Sequence, residues 1–358
     1  TRLTVTDRDS LGNLGIQLYD SFYVEDAMEN GSTLRLFAKR QKVNLECLMQ
    51  GEFPENDDEI AIDRMYADNN HLSVGDTVSD GTRTWKISGL VALSDYSALF
   101  QNNGDMMFDA VKFGVGIVKE EVLDMFDFSR KVYAYSWTYT DKVEDEKQRS
   151  DTLMEDMSDI ITLQQYLPRY QNQAINFTGE DMGSDGVMIE VLLYIVIVIM
   201  AFVFAITIKD TIGRESNVIG TLRASGYTRL EMVGHYMCMP VCVTLISALI
   251  GNILGYTVLK DVCADMYYGS YSLPTYVTIW NPDAFIRTTC IPVILMAVIT
   301  FGVLYKTMCI SPLRLIRKDL KKSSHRRTLI LSDHIPFLSR FRIRVALQNI
   351  PDFLALFT

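Results

Sequence analysis

The chain has 358 residues, 48% of them apolar and 22% charged, with a formal net charge of −10. That length allows two or three domains. The acidic balance argues against a nucleic-acid partner, because phosphate contact needs clustered Lys and Arg.

The charge is unevenly spread. Residues 1–186 hold 17 of the 34 Lys and Arg but 34 of the 44 Asp and Glu, so this half is strongly acidic and the remainder is basic. Two environments follow from that split. Only Cys47 of the six cysteines lies in the acidic half, so no disulfide framework is available there. This half reads as mixed α/β. "TLRLFAKR", "EIAID" and "TWKISGLVAL" carry strand-like runs or alternation. Asp80-Gly81 marks a hairpin turn, and "RMYADNNHLSVGD" reads as a short helix that ends before Gly75. From "KEEVLDMF" to "LPRYQNQ" the pattern reads as helical, most clearly in "QRSDTLMEDMSDIITLQQYL". Asp57, Asp58 and Glu59 read as a solvated acidic loop. His71 has no second histidine nearby to form a metal site. There is no phosphate-binding loop and no Ser/His/Asp or Cys/His arrangement, so neither an enzyme nor a cofactor is expected in this chain.

Three apolar runs follow, at about 187–208, 232–259 and 288–305. Each can cross a hydrocarbon core of about 30 Å as a helix. Pro240 and Pro292 fall inside the second and third runs and are candidate kinks, since a membrane bundle can satisfy the carbonyl that proline frees. Gly251 and Gly255 form a small-xxx-small face suited to helix packing. The fold class expected is a membrane protein: an α/β extracytoplasmic domain followed by an α-helical bundle of three spans.

Orientation follows from the basic residues. Lys209, Arg214, Arg223 and Arg229 lie between the first two spans, and a longer basic series follows the third from Lys306. The positive-inside rule puts both segments in the cytoplasm. The base-poor loop between the second and third spans then faces out, with Tyr267, Tyr268, Tyr271, Tyr276 and Trp280 as interface anchors. Residues 1–186 lie outside as well, which calls for one further helix upstream of Thr1.

The cytoplasmic segment has its own signals. Ile212, Ile219 and Leu222 recur at helical spacing, and Asp210 precedes Arg214 by four. Gly226 can end a helix in the left-handed region, and Thr228 with Glu231 can cap the next one as a capping box. Local chemistry leaves lipid contact and protein docking open for the apolar side, with Leu222 on it.

"RESNVIGTLRASGYTRLEM" resembles the signature of FtsX-like permeases, at Arg214, Glu215, Ile219, Gly220, Leu222, Arg223, Ala224 and Gly226, with Tyr227 following. "ISPLRLIR" is similar to the family's ending after its last span. "DEIAIDRMYADNNHLSVGDTV" resembles the MacB-like extracytoplasmic core domain, at Glu59, Ile60, Ala67, Val74, Gly75 and Asp76. The resemblance divides the chain into an extracytoplasmic domain at 1–186, a permease module at 187–318, and a cytoplasmic basic linker at 319–358 that runs into the start of a second module.

The resemblance implies the permease subunit of a type VII ABC transporter in a bacterial plasma membrane. ATP and Mg would sit on a separate ATPase subunit, which would grip the 214–227 segment and drive the outside domain by mechanotransmission. A second permease module or a second copy would complete the assembly in the bilayer. Export or extraction of a peptide, lipid or lipoprotein is the expected work. A membrane-anchored receptor and a cell-wall hydrolase regulator that does not transport are the alternatives.

Overall fold

The structure is a computed structural model describing residues 2–311 and Leu313. The expected linker and second-module start at 319–358 lie outside the described residues, as do Arg314 and Arg317. The chain divides into two compact units. One comprises the residues up to Gly186 together with Tyr256–Ile279; the other comprises Val187–Gly255 and the residues from Trp280 onward.

The first unit opens with α1 (Val5–Gly12), whose start is held by a Thr4/Asp7 capping box. The strands β1 (Ile16–Asp20), β2 (Tyr23–Ala27), β3 (Thr33–Ala38), β4 (Glu46–Gly51) and β5 (Glu59–Asp63) follow, then α2 (Arg64–Asn69). Next come β6 (Thr77–Ser79), β7 (Thr84–Leu93), β8 (Phe113–Val118), α3 (Glu120–Leu123), β9 (Lys131–Val132), β10 (Tyr135–Tyr139) and α4 (Glu146–Ile160). The main sheet runs β4-β7-β5-β8-β3-β2-β9, with β6 added alongside β7, and β1 pairs with β10 in a separate ribbon.

Local chemistry accounts for these elements. Gly81 takes φ +82° in the β6–β7 turn, and the Asp80 carboxylate accepts from the N–H groups of Thr82 and Arg83. β8 is buried on both faces, as suits a strand that pairs parallel with β3 on one side and antiparallel with β5 on the other. The core between sheet and helices holds Trp85, Tyr66, Leu34, Ile60, Ile87 and Ile117, all essentially unexposed. Two expectations change here. The run from Lys119 to Gln173 is not helical throughout: "YSWTY" forms β10, because β-branched and aromatic residues alternating with small polar ones suit a pleated ribbon. The clearest helical stretch also stops at Ile160, and Ile161 turns extended to pack with Leu163 on the small Leu11/Leu153 core.

The long helices come next: α5 (Gln173–Arg214), α6 (Ser216–Ala224), α7 (Arg229–Leu254), α8 (Lys260–Tyr268), α9 (Pro282–Phe285) and α10 (Ile291–Met308). Single π-helical turns join α7 to α8 at Gly255–Leu259 and α9 to α10 at Ile286–Cys290. Among the described residues, Gln173–Arg214, Arg229–Tyr268 and Pro282–Met308 are long and apolar enough to cross a membrane. Each helix is longer than the apolar run inside it, because the backbone ladder continues into flanking polar turns, even through weak helix formers such as Gly179, Gly183 and Gly186 at the start of α5. Pro240 lies within α7. Pro292 sits at the start of α10 directly after a π turn, where a shifted ladder accommodates its missing N–H.

Candidate functional site

In the second unit, α5 ends at Arg214, which pairs with Asp210 at 2.7 Å on an exposed surface. Glu215 interrupts the helix, and its carboxylate accepts from the Tyr236 hydroxyl at 2.5 Å. α6 then runs to Ala224 and closes in a Schellman motif. The Tyr227 N–H donates to the Leu222 carbonyl at 3.2 Å and the Gly226 N–H to that of Arg223 at 3.3 Å, with Gly226 at φ +107°. Thr228 and Glu231 form both halves of a capping box and restart the chain as α7. Four residues, Ser225 to Thr228, therefore join two capped helix ends.

α6 is also fastened sideways. Arg223 Nη1 donates to the carbonyls of Met308 at 3.0 Å and Ile310 at 2.5 Å, where α10 ends. A guanidinium there satisfies carbonyls left over by the helix end and complements its negative dipole. Ile219 is buried and Leu222 half-buried, packed with Ile212, Met232, Leu304 and Met308. The apolar side of α6 is thus consumed inside the unit. Leu222, read from the sequence as lying on the apolar side of the helix, is on that side, and residues of α7 and α10 cover the stripe. Exposed on α6 and its cap are Val218, Thr221 and Tyr227, flanked by Arg214 at the end of α5 and Leu230 at the start of α7, with Val218 59% and Leu230 61% exposed. Gly220 faces inward with Ile219.

Gly251 and Gly255 are not brought against another helix, since a Cβ at either would meet nothing within 4 Å. α7 meets α10 through the Met232/Leu304 cluster and meets the π turn before α10 through Asn252, which donates to Thr289 at 2.8 Å. Sequence reading also missed that Arg287 pairs with Glu190 at 2.9 Å.

In the first unit, the segment after α8 straps onto the α/β domain. Arg64 Nη2 donates to the carbonyls of Tyr268 and Tyr271. The Ser272 hydroxyl donates to Asp63, whose other oxygen accepts from the N–H groups of Met65 and Tyr66. Burial pushes the Asp63 carboxyl up to about 6, against the opposing pull of Ser272 and the two N–H groups. Tyr271 and Tyr267 donate their hydroxyls to Asp181 and Asp185 at 2.7 and 2.9 Å. These two rings, expected at the lipid boundary, instead serve the domain. Tyr276 and Trp280 remain exposed. The strap and the domain belong to one compact unit.

A family model described as FtsX-like permease C-terminal matches residues 190–318. That segment is an FtsX-like permease domain. The match takes in α6, its Schellman stop and the Arg223 clamp. The match supports an ABC-permease type of role in the membrane, and FtsX-like permeases in general work with an ABC ATPase. No match was found among curated proteins. No group of three His, Cys, Asp or Glu placed to hold a metal ion occurs among the described residues.

Proposed function

We propose that the chain is the transmembrane permease subunit of a bacterial ABC transporter, with residues 1–186 outside the plasma membrane in a MacB-like role. A separate ATPase, carrying ATP and Mg, docks on the outward face of α6. Its closure is transmitted to the α/β domain, and the work done is the export or extraction of a peptide, lipid or lipoprotein. The Arg223 clamp carries this reading. A helix that only lay on lipid would not need its end tied to the end of α10 by a half-buried guanidinium. A push on Val218 or Tyr227 meets a helix fixed at both ends and at its side, which is what force transfer requires. The strap at Arg64 supports the other end of the same reading, because it makes the segment between the second and third long helices part of the domain. Gly251 and Gly255, where an added Cβ would meet nothing within 4 Å among the described residues, suit a packing face for a second module or a second copy.

The test is site-directed crosslinking in native membranes. A cysteine replacing Val218 should crosslink to a P-loop ATPase in a nucleotide-dependent way, and one replacing Thr82 in the β6–β7 turn should not. Labelling the Val218 position with a lipid-soluble reagent and never with an ATPase would overturn the docking role.

A further inference from the structure

A cleft of about 530 Å³ opens in the α/β unit where the chain passes from the β1–β10 ribbon into the main sheet at Ser21 and Phe22, rimmed by the turn at Lys39–Val43. That volume suits a small-molecule ligand. Its charge runs against its surroundings. In a half of the chain with twice as many acids as bases, Arg2, Arg8, Lys39, Arg40, Lys42 and Lys131 line one concave site; Asp20, Glu120 and Asp124 are the acids of its lining, and Asp95 and Glu46 lie behind it against Arg40. Arg8 is paired with Asp20 at 2.5 Å and Lys131 with Asp124 at 2.7 Å. Arg2, Lys39 and Lys42 form no ion pair among the described residues.

A second observation is independent of the charge count. The Arg40 side chain is only 7% exposed, held by Asp95 at 2.8 Å and by the Asn44 carbonyl, with the Glu46 carboxylate 3.8 Å from its Nε; its Nη2 has neither a hydrogen-bond partner nor an ion pair among the described residues. A buried guanidinium with unused donors is an unusual expense in a folded domain. Between the cations stand rings. Phe22 packs edge-on to Tyr133 with centroids 4.9 Å apart, and Tyr23 lines the wall beside them. Concave positive sites concentrate anions, and ring faces accept an apolar body.

We propose that this cleft binds an amphiphilic organic anion, its phosphate or carboxylate head held by Lys39, Arg40 and Lys42 and its ring or alkyl body laid on Phe22, Tyr23 and Tyr133. The site is separate from α6 and does not depend on the docking of an ATPase.

The test is isothermal titration of the full chain in a neutral maltoside detergent with two probes. Phenyl phosphate is a soluble ring-bearing anion, and dihexanoyl phosphatidylglycerol is a soluble short-chain lipid bearing an acidic head group. At least one should bind saturably, weaken with added salt, and lose about tenfold in affinity in Lys39→Gln/Lys42→Gln. Binding of phenyl phosphate identifies a soluble anion as the natural class, and binding of the lipid alone identifies a head group. Benzyl alcohol, the neutral ring, should displace neither. Both lysines are exposed, so the double variant should melt with the wild type; if it does not, the salt dependence of wild-type binding decides. Failure of both probes to bind, salt-insensitive binding, or unchanged affinity in a folded double variant would overturn the proposal.

Discussion

Arg64 Nη2 lies 2.7 Å from the carbonyl oxygen of Tyr271, 207 residues further along the chain. The same nitrogen reaches the Tyr268 carbonyl at 2.7 Å, and the guanidinium sits over the Tyr268 ring at 5.1 Å. One side chain at the start of α2 thus ties down a segment that belongs, in sequence, to the membrane half.

Arg64→Met should free that segment. It removes two charge-assisted bonds and leaves two carbonyls unpaired, a loss of about 2–4 kcal/mol to the unit. Limited proteolysis of the purified chain should show faster cleavage around Tyr268–Leu273, with the main sheet still folded. Unchanged cleavage there would mean that the aromatic contacts hold the strap without Arg64.

Asp63 gives a pH dependence with a definite sign. Its folded carboxyl titrates near 6, above the value of about 3.9 in an unfolded chain. The folded state therefore holds more protons between these values. The contribution of this group to stability is greatest in acid and declines as pH rises through about 6. Asp63→Asn removes that decline, and Asn keeps both an acceptor for the α2 cap and a partner for Ser272. Melting curves should show the variant gaining on the wild type by about 1 kcal/mol between pH 5 and pH 7.5. A constant difference across that range would show that Asp63 does not titrate there.

Leu222 and Val218 separate packing from docking. Leu222 is half-buried and packs on the cluster beneath α6, so Leu222→Asp should lower stability by about 2–3 kcal/mol and lose ATPase capture only as a consequence. Val218 is exposed, so Val218→Asp should melt like the wild type and still lose ATPase capture in a pull-down. Capture retained in the Val218 variant would remove this face from the docking surface.

These residues also show what sequence could and could not supply. The Gly226 stop, the Thr228/Glu231 box and the Asp80-Gly81 turn are local chemistry within four residues, and the structure forms all three. The strands at 33–38, 59–63 and 84–93 were legible because alternation and β-branched residues are local as well. β8 was not, since two glycines dilute its pattern and its partner β3 lies far back in the chain. The stripe through Ile219 and Leu222 was correct as periodicity, but periodicity does not say which neighbour covers a stripe. Nothing near Asp63 in the chain signals its burial, because its partner Ser272 lies 209 residues further on.

Two glycines distinguish a conformational demand from a steric one. At Gly226 a Cβ would meet nothing within 4 Å, but φ is +107°, so Gly226→Ala should cost about 1–2 kcal/mol through backbone strain alone. At Gly114 in β8 the backbone is ordinary, but a Cβ would lie 2.5 Å from the Tyr66 ring. That ring cannot simply swing aside: it is fully buried, and its hydroxyl is 2.7 Å from that of Ser32. Gly114→Ala should therefore cost about 1–3 kcal/mol by overpacking. A companion Tyr66→Ala substitution should recover part of that loss for Gly114→Ala and do nothing for Gly226→Ala, since it removes the two ring atoms nearest the new Cβ and makes room only at β8. Thermal melts of the two single and two double variants measure both couplings. Equal coupling of Tyr66 to both glycines would refute the steric account.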